Sequence, residues 1–213
     1  MKFSKNKLSN FFIYYSWMII VSFLLFFMVS NLVLSKINEI KRCERFNLFI
    51  AAYGMKENNY QNELYELLKD DGIKQVNFYS YLLDDKDIAK YYDAFGYNAD
   101  AVIFSDSDVE SMSGTISTNF MGIGDKLSTA LSLDGYKGYY FDDVRYAIMI
   151  HDKNDEEYNS KFNYSSWIEF GSGHSFFLLL NIRSTNYGMF SEKNESEVAL
   201  KGIKYILDES RIT

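Results

Sequence analysis

The sequence is poor in the residues that form disulfides and metal sites. Its 213 residues include one cysteine and two histidines. A single cysteine excludes an intramolecular disulfide, so a domain of this length must be stabilised by its apolar core. Cys43, His151 and His174 are far apart in the sequence and form no cluster of soft ligands, which argues against a zinc site. We therefore predict neither a bound metal nor a cofactor.

Proline and an excess of positive charge are also missing. The absence of proline, together with abundant asparagine, lysine, tyrosine, phenylalanine and isoleucine, is typical of AT-rich bacterial genomes. From Phe46 onward the chain holds 15 basic and 27 acidic residues, a formal net charge of −12. Such a charge repels phosphate backbones and argues against nucleic acid as a partner.

Charged residues are absent from Ser9 to Ser35, and residues 11–34 are apolar apart from serines, one asparagine and aromatic rings. At about 1.5 Å per residue, this stretch can cross a hydrocarbon core of about 30 Å with some tilt. Aromatic residues such as Trp17 cluster near its start, where amphipathic rings prefer the headgroup level. We predict a cytoplasmic tail at residues 1–10 and a transmembrane anchor at residues 11–34.

The apolar stretch fits an uncleaved anchor better than a signal peptide. A signal peptide has an apolar region of about 7 to 15 residues followed by small residues at the cleavage site. Here the region is longer and leads into Ser35, Lys36 and Ile37. Basic residues flank it almost equally on both sides, and we expect the short amino-terminal tail to stay inside. A stalk at residues 35–45 then leads to an extracytoplasmic domain at residues 46–213 of a single-pass cell-membrane protein.

Short apolar runs alternate with helical patterns in the first half of this domain. Runs at residues 47–52, 73–81 and 101–104 are bounded by polar residues and are too short for helices, so they predict buried strands. Between them, residues 59–71 and 84–95 place apolar side chains at helical spacing. This order implies two crossover units. We predict a three-layer α/β domain with a mostly parallel sheet.

The second half continues this pattern less regularly. Residues 144–151 and 175–181 predict two further strands, and residues 195–208 carry the apolar stripe of a carboxyl-terminal helix. Residues 109–129 are rich in serine, threonine and glycine, and they predict a short helix followed by a loop.

A cluster of serines and aspartates, Ser105 to Asp108, follows the third predicted strand. A calcium loop would need glycine and glutamate at the positions of Ser111 and Ser117, so that motif does not fit. One interpretation is that Ser105 or Asp106 caps a helix. Another is that both face a ligand, because open parallel sheets bind ligands beyond the carboxyl ends of their strands.

The same rule selects other candidate ligand contacts. Tyr53 and Gly54 follow the first predicted strand, and Ser184 follows a later one. Trp167 could stack on a ligand, although a lone tryptophan also commonly fills a core. These alternatives stay open at the level of the sequence.

No catalytic constellation is recognisable. The segment FGSGHS, which ends with His174 and Ser175, lacks the Gly-x-Ser-x-Gly turn between a strand and a helix that positions a nucleophile. No nucleophile, base and orienting group occur together at a known spacing. We predict that the chain is not an enzyme.

Several segments taken in order resemble the extracellular solute-binding proteins of bacterial ABC transporters, which have a two-lobed, type II periplasmic-binding fold. The segments are NLFIAAYG, IKQVNFYSY, NADAVIFSDSDVESM, VRYAIMIHDKND and SFFLLLNIRSTNYGMFSEKNESEVALKGIKYILDES. In that family a strand begins with an alanine-aspartate pair, and a later strand precedes a helix of the form A..fi.yL. Residues 98–105 and 181–207 carry the match.

The resemblance implies a membrane-anchored binding or interaction domain. A small solute would be its ligand, and an ABC-transporter permease or another membrane protein would be its partner. About 168 residues follow the stalk, which implies one lobe of a periplasmic binding protein or a shrunken pair. The alternative is an accessory or structural subunit of a transporter or envelope complex that binds no small molecule.

Overall fold

The computed structural model describes residues 5–37, 39–56, 59–82, 90, 92–93, 96–193 and 196–212. The chain divides into two compact units, Met1–Ile40 and Lys41–Thr213.

The first unit contains one long helix, α1, at Lys5–Ile37. Its stretch Tyr15–Lys36 has a mean hydropathy of 2.4. That stretch is long and apolar enough to cross a membrane, a test that an amino-terminal signal sequence also meets. Large apolar side chains such as Phe23 and Phe26 are exposed along it. The helix extends beyond residues 11–34 at both ends because the apolar pattern marks a span and not the ends of a helix.

The second unit is a mixed α/β domain. Its described strands are β1 Arg45–Ala52, β2 Gly54–Met55, β3 Gln75–Leu82, β4 Ala101–Ser105, β5 Gly138–Phe141, β6 Val144–His151, β7 Ile168–Glu169 and β8 Phe176–Leu180. Its described helices are α2 Tyr60–Leu68, α3 Asp106–Ser111, α4 Ile116–Asn119, α5 Asp125–Ala130, α6 Glu156–Asn159 and α7 Val198–Glu209.

The five predicted strands are confirmed as β1, β3, β4, β6 and β8, and two predicted helices are confirmed as α2 and α7. The helix predicted at residues 84–95 lies largely outside the described residues, of which 90 and 92–93 are helical. Strand β5 was not predicted. It joins β6 through Asp142 and Asp143, whose φ angles of 46° and 62° suit the two-residue turn of a hairpin.

Six strands form one sheet in the order β3-β1-β4-β8-β6-β5. The first three are parallel, as predicted, with Leu48 of β1 opposite Phe78 of β3 and Ala101 of β4. Strand β8 pairs antiparallel with both β4 and β6, and β5 pairs antiparallel with β6. The sheet is therefore mixed, since only one side of it is parallel.

Apolar clusters pack on both faces of this sheet because side chains alternate along each strand. Leu48 and Ile50 of β1 belong to one cluster, together with residues of α2 and α7 such as Leu64 and Ile203. Phe49 of β1 belongs to the other cluster, with Val109, Ile116 and Phe120 among its members.

The strand directions define two edges of the sheet. The carboxyl-end edge is the one where β1, β3, β4 and β6 end and where β8 begins. The amino-end edge is the one where those four strands begin and where β8 ends.

Candidate functional site

The carboxyl-end edge contains a point where the strand order reverses. From β1 the chain continues to β3 on one side, and from β3 it continues to β4 on the other side of β1. Open α/β sheets bind ligands at such a point, beyond the ends of the two strands that flank it. Tyr53 and Gly54 follow β1 there, and Ser105 and Asp106 mark the end of β4. The structure thus brings four of the six candidate ligand residues to one edge.

Ser105 acts as a helix cap at this edge. Its hydroxyl oxygen accepts a hydrogen bond from the Asp108 backbone N–H at 3.2 Å, and the Asp108 carboxylate accepts one from the Ser105 hydroxyl at 2.6 Å. The Asp108 carboxylate also accepts from the Ser105 backbone N–H, which completes a capping box for α3. Ser105 is fully buried. The helix-cap interpretation is therefore confirmed for this residue.

Asp106 forms a charged cluster with two residues from other strand ends. Its carboxylate accepts a hydrogen bond from Lys153 Nζ at 2.7 Å and lies 2.8 Å from His174 Nδ1. Lys153 follows β6 and His174 precedes β8, so the three side chains meet because those strands share this edge. The Lys153 and His174 side chains remain 37% and 34% exposed. We call these three residues the edge cluster.

The two neighbours control the charge of Asp106. Partial burial raises the pKa of its carboxyl group, but the hydrogen bonds from Lys153 and His174 outweigh this and hold the pKa at about 2. The pKa of Lys153 is raised in turn by its hydrogen bond to Asp106. Asp106 is therefore ionised at neutral pH, and the exposed N–H groups of the cluster face solvent.

The edge cluster pairs a histidine with a carboxylate, as the active sites of many hydrolases do. Among the described residues, the only hydrogen bond of the His174 ring is the one to Asp106. No group of three histidine, cysteine, aspartate or glutamate side chains in that part of the chain could hold a metal ion. The arrangement is suited to binding a polar group through charge and hydrogen bonds.

A segment of the chain, residues 167–175, covers the ends of β1 and β4. Strand β7 within it pairs with β2, and the Tyr53 backbone N–H donates to the Glu169 carbonyl at 2.9 Å. The Asp106 backbone N–H donates to the Ser175 carbonyl at 2.8 Å. At Gly171 the segment lies so close to Tyr53 that an added Cβ would be 2.4 Å from the ring. We call residues 167–175 the covering segment.

Trp167 begins this segment and lies in the core. It is 1% exposed, and its indole stacks on the Tyr60 ring with centroids 4.8 Å apart. Of the two interpretations of Trp167 drawn from the sequence, stacking on a ligand or filling the core, the structure shows the second. Stacking on a solvent-borne ligand would require the indole to leave the core.

Ser184 lies at the opposite, amino-end edge because β8, which precedes it, runs antiparallel to β4. Its hydroxyl donates to the buried Asp100 carboxylate at 2.5 Å. That carboxylate also accepts from the Asn47 backbone N–H and from the Asn186 side-chain amide. Complete burial raises the pKa of Asp100 to about 6, although these hydrogen bonds act to lower it. Ser184 is therefore separated from the other candidates and belongs to a buried polar network.

Lys153 and His174 were not among the candidates drawn from the sequence. Each lies within two residues of a predicted strand, which is the signal that could have found them once the strand directions were known. Asp100 is the aspartate of the alanine-aspartate pair in the resemblance, and Asn186 lies within its second matched range, but the hydrogen bond between them joins positions 86 residues apart and could not be predicted.

No protein-family model, no curated protein and no solved structure matches this chain.

Proposed function

We propose that the chain is a membrane-anchored extracytoplasmic binding domain, built like one lobe of an ABC-transporter solute-binding protein and without catalytic activity. The observation that carries this proposal is the partly exposed edge cluster, whose Asp106 follows β4, one of the two strands that flank the point of strand-order reversal where α/β sheets bind ligands. Apolar clusters on both faces of the sheet support a three-layer arrangement. The parallel order β3-β1-β4 supports the likeness to a lobe.

The anchoring part of the proposal rests on α1. The length and hydropathy of Tyr15–Lys36 support a single crossing of the cell membrane. Cys43, the one cysteine of the chain, follows the helix by a few residues and is partly exposed. A membrane-impermeant thiol reagent should therefore label Cys43 in intact cells, whereas labelling only after lysis would place the domain inside.

The binding part is tested with the full chain in detergent. We expect a small polar solute to bind at the edge cluster, and a ligand at about 100 times its dissociation constant adds about 2.7 kcal/mol to the free energy of unfolding. Thermal unfolding should therefore be measured with sugars, amino acids and short peptides. Asp106→Asn should abolish the stabilisation, because it removes the carboxylate that positions Lys153 and His174. Asp71→Asn, which breaks an exposed ion pair with Lys201, is the matched control.

A second candidate function is an accessory subunit of a transporter or envelope complex. Solute-binding proteins clamp their ligand between two lobes, whereas Lys41–Thr213 is one compact unit and the covering segment lies over the ends of β1 and β4. These two observations support the second candidate, in which the domain binds a protein partner such as an ABC-transporter permease.

The two candidates differ in their predicted behaviour. If no solute stabilises the full chain, the small-molecule function is excluded. A photoreactive side chain placed at Lys153 should then cross-link a membrane protein in intact membranes, and the same side chain at exposed Lys204 of α7 is the control. Cross-linking that is equal at both positions would contradict a docking role for the carboxyl-end edge.

A further inference from the structure

A small basic pocket opens at the amino-end edge, away from the edge cluster. It has a volume of about 220 Å³. It is lined by Arg42, Ile182, Arg183, Ser184, Thr185, Glu192 and Lys193. Its walls come from three separate parts of the chain: the turn before β1, the segment after β8 and the segment before α7. We call it the basic pocket.

The charge of the basic pocket is opposite to that of the domain around it. Arg42, Arg183 and Lys193 contribute three positive charges, and Glu192 contributes one negative charge. The chain from Phe46 onward has a formal net charge of −12. None of the three cations forms an ion pair within the described part of the chain. Three cations that line one pocket without forming ion pairs outnumber its single carboxylate and are suited to an anionic ligand.

Arg42 supplies the strongest indication of what that ligand is. Its Nε and Nη2 atoms are buried and have no hydrogen-bond partner among the described residues. These two nitrogens lie on the same edge of the guanidinium, which is the geometry that holds two oxygens of one oxyanion. The Thr185 hydroxyl, on another lining residue, is also buried without a partner in that part of the chain. Unsatisfied buried donors are unfavourable unless a ligand or water accepts from them.

Two other side chains of the pocket, those of Arg183 and Ser184, are held by neighbouring residues. The Arg183 guanidinium lies 4.1 Å from the centre of the Tyr97 ring, which restricts its position. The Ser184 hydroxyl is used by Asp100, and the positive charge of Arg42 acts to lower the pKa of that carboxyl group. Asp100 accepts from three other donors, and the Nε and Nη2 atoms of Arg42 do not donate to it.

The size of the pocket restricts the ligand further. Sites for drug-sized ligands have volumes of about 300–1,000 Å³. The basic pocket is smaller, and one water occupies about 30 Å³ in the liquid. It therefore suits a single phosphate-sized group with part of its hydration shell.

We propose that the basic pocket binds a phosphate-type oxyanion, held by the Arg42 fork together with Arg183, Thr185 and Lys193. Two sources share this chemistry: free inorganic phosphate or sulfate, and the phosphate of a lipid headgroup. Arg42 follows the last residue of α1 by five positions in the chain, and basic residues beside a membrane helix attract anionic lipids. The site is separate from the edge cluster, so oxyanion binding does not depend on the binding function proposed above, whereas the lipid source rests on the membrane anchor proposed there.

Calorimetric titration of the full chain in detergent with sodium phosphate and sodium sulfate tests this proposal. Sodium chloride at the same ionic strength is the control for screening. We expect saturable binding of one oxyanion per chain. Arg183→Gln and Lys193→Gln should each weaken it about tenfold, because each removes one charge-assisted hydrogen bond. Arg42→Lys keeps the charge but loses the fork and should also weaken binding.

Lys204→Gln is the matched control, since it removes one exposed positive charge from α7 at a distance along the chain from every lining residue. It should bind phosphate as the unaltered chain does. The proposal is overturned if phosphate and sulfate bind no better than chloride, or if Arg183→Gln and Lys193→Gln bind as tightly as Lys204→Gln.

A second arm identifies the source of the oxyanion. The chain is placed in nanodiscs of phosphatidylcholine with or without phosphatidic acid, and the phosphate titration is repeated. Weaker phosphate binding in the discs with phosphatidic acid, and no such change for Arg183→Gln, supports occupation by the lipid. Equal binding in both discs supports a soluble oxyanion.

Discussion

The pKa values of two aspartates at opposite ends of β4 are shifted in opposite directions. Asp100 directly precedes the strand and is buried. Its hydrogen-bond donors are a backbone N–H, a hydroxyl and a side-chain amide, and its pKa is raised to about 6. Asp106 directly follows the strand and is bound by Lys153 and His174, and its pKa is lowered to about 2. The difference arises because desolvation dominates at Asp100, whereas the hydrogen bonds from Lys153 and His174 dominate at Asp106. Asp100 therefore belongs to a buried network that stabilises the fold, whereas Asp106 belongs to a partly exposed charged cluster.

The largest expected effect comes from removing the buried carboxylate. Asp100→Ala would leave the Asn47 N–H, the Ser184 hydroxyl and the Asn186 amide without their acceptor. We expect a loss of about 3–5 kcal/mol in the free energy of unfolding, because unsatisfied buried donors are costly. Denaturant unfolding of the full chain in detergent measures it. Asp106→Ala should reduce the free energy of unfolding by less than Asp100→Ala does. Equal losses for the two variants would contradict the idea that the buried carboxylate matters more to the fold than the partly exposed one.

The contributions of the two aspartates to the free energy of unfolding should change in opposite directions with pH. The pKa of Asp100 is higher in the folded chain than its ordinary 3.8. The folded state therefore binds this proton more tightly, and stability should rise by about 2–3 kcal/mol as the pH falls from about 6 to 4. Unfolding free energies at several pH values measure this, and Asp100→Asn should remove that part of the curve. A curve unchanged by Asp100→Asn would contradict the raised pKa.

Asp106 should act at lower pH and in the other direction. Its folded pKa lies below 3.8, so its contribution is present above pH 4 and is lost as the pH falls towards 2. We expect a contribution of at most about 2 kcal/mol. Asp106→Asn should flatten the curve between pH 4 and 2. A curve that this variant leaves unchanged between pH 4 and 2 would contradict the lowered pKa of Asp106.

The smallest effect tests how the covering segment is held at the carboxyl-end edge. Gly171→Ala introduces a Cβ that would lie 2.4 Å from the Tyr53 ring, at a φ of +67°. Gly135→Ala is the control, since its φ of +84° is closer to that of Gly171 and its Cβ would meet open space. We expect Gly171→Ala to cost about 1–2 kcal/mol more than Gly135→Ala in thermal unfolding. Equal costs would show that the Tyr53 contact contributes nothing.

The sequence was sufficient to find strands whose neighbours along the chain determine their direction. The runs that became β1, β3 and β4 are separated by helix-length segments, and such spacing specifies parallel pairing. Strand β8 could not be placed in this way, because its antiparallel position between β4 and β6 is decided by tertiary pairing. Ser184 therefore lies at the edge opposite to that of Ser105, although both follow strands. Lys153 and His174 lie beside Asp106 for the same reason, because β8 runs antiparallel to β4 and β6.

The antiparallel strand β8 also determines when the sheet can be completed during synthesis of the chain. Strand β4 is buried along its whole length, and its partner β8 begins 71 residues after it ends, near the carboxyl terminus. Until residues 176–180 have emerged, the apolar strand β4 has an unpaired side that can pair with other chains. Long-range pairing of this kind slows folding. The middle of the sheet is therefore completed last, and a chain truncated before β8 should aggregate before it folds.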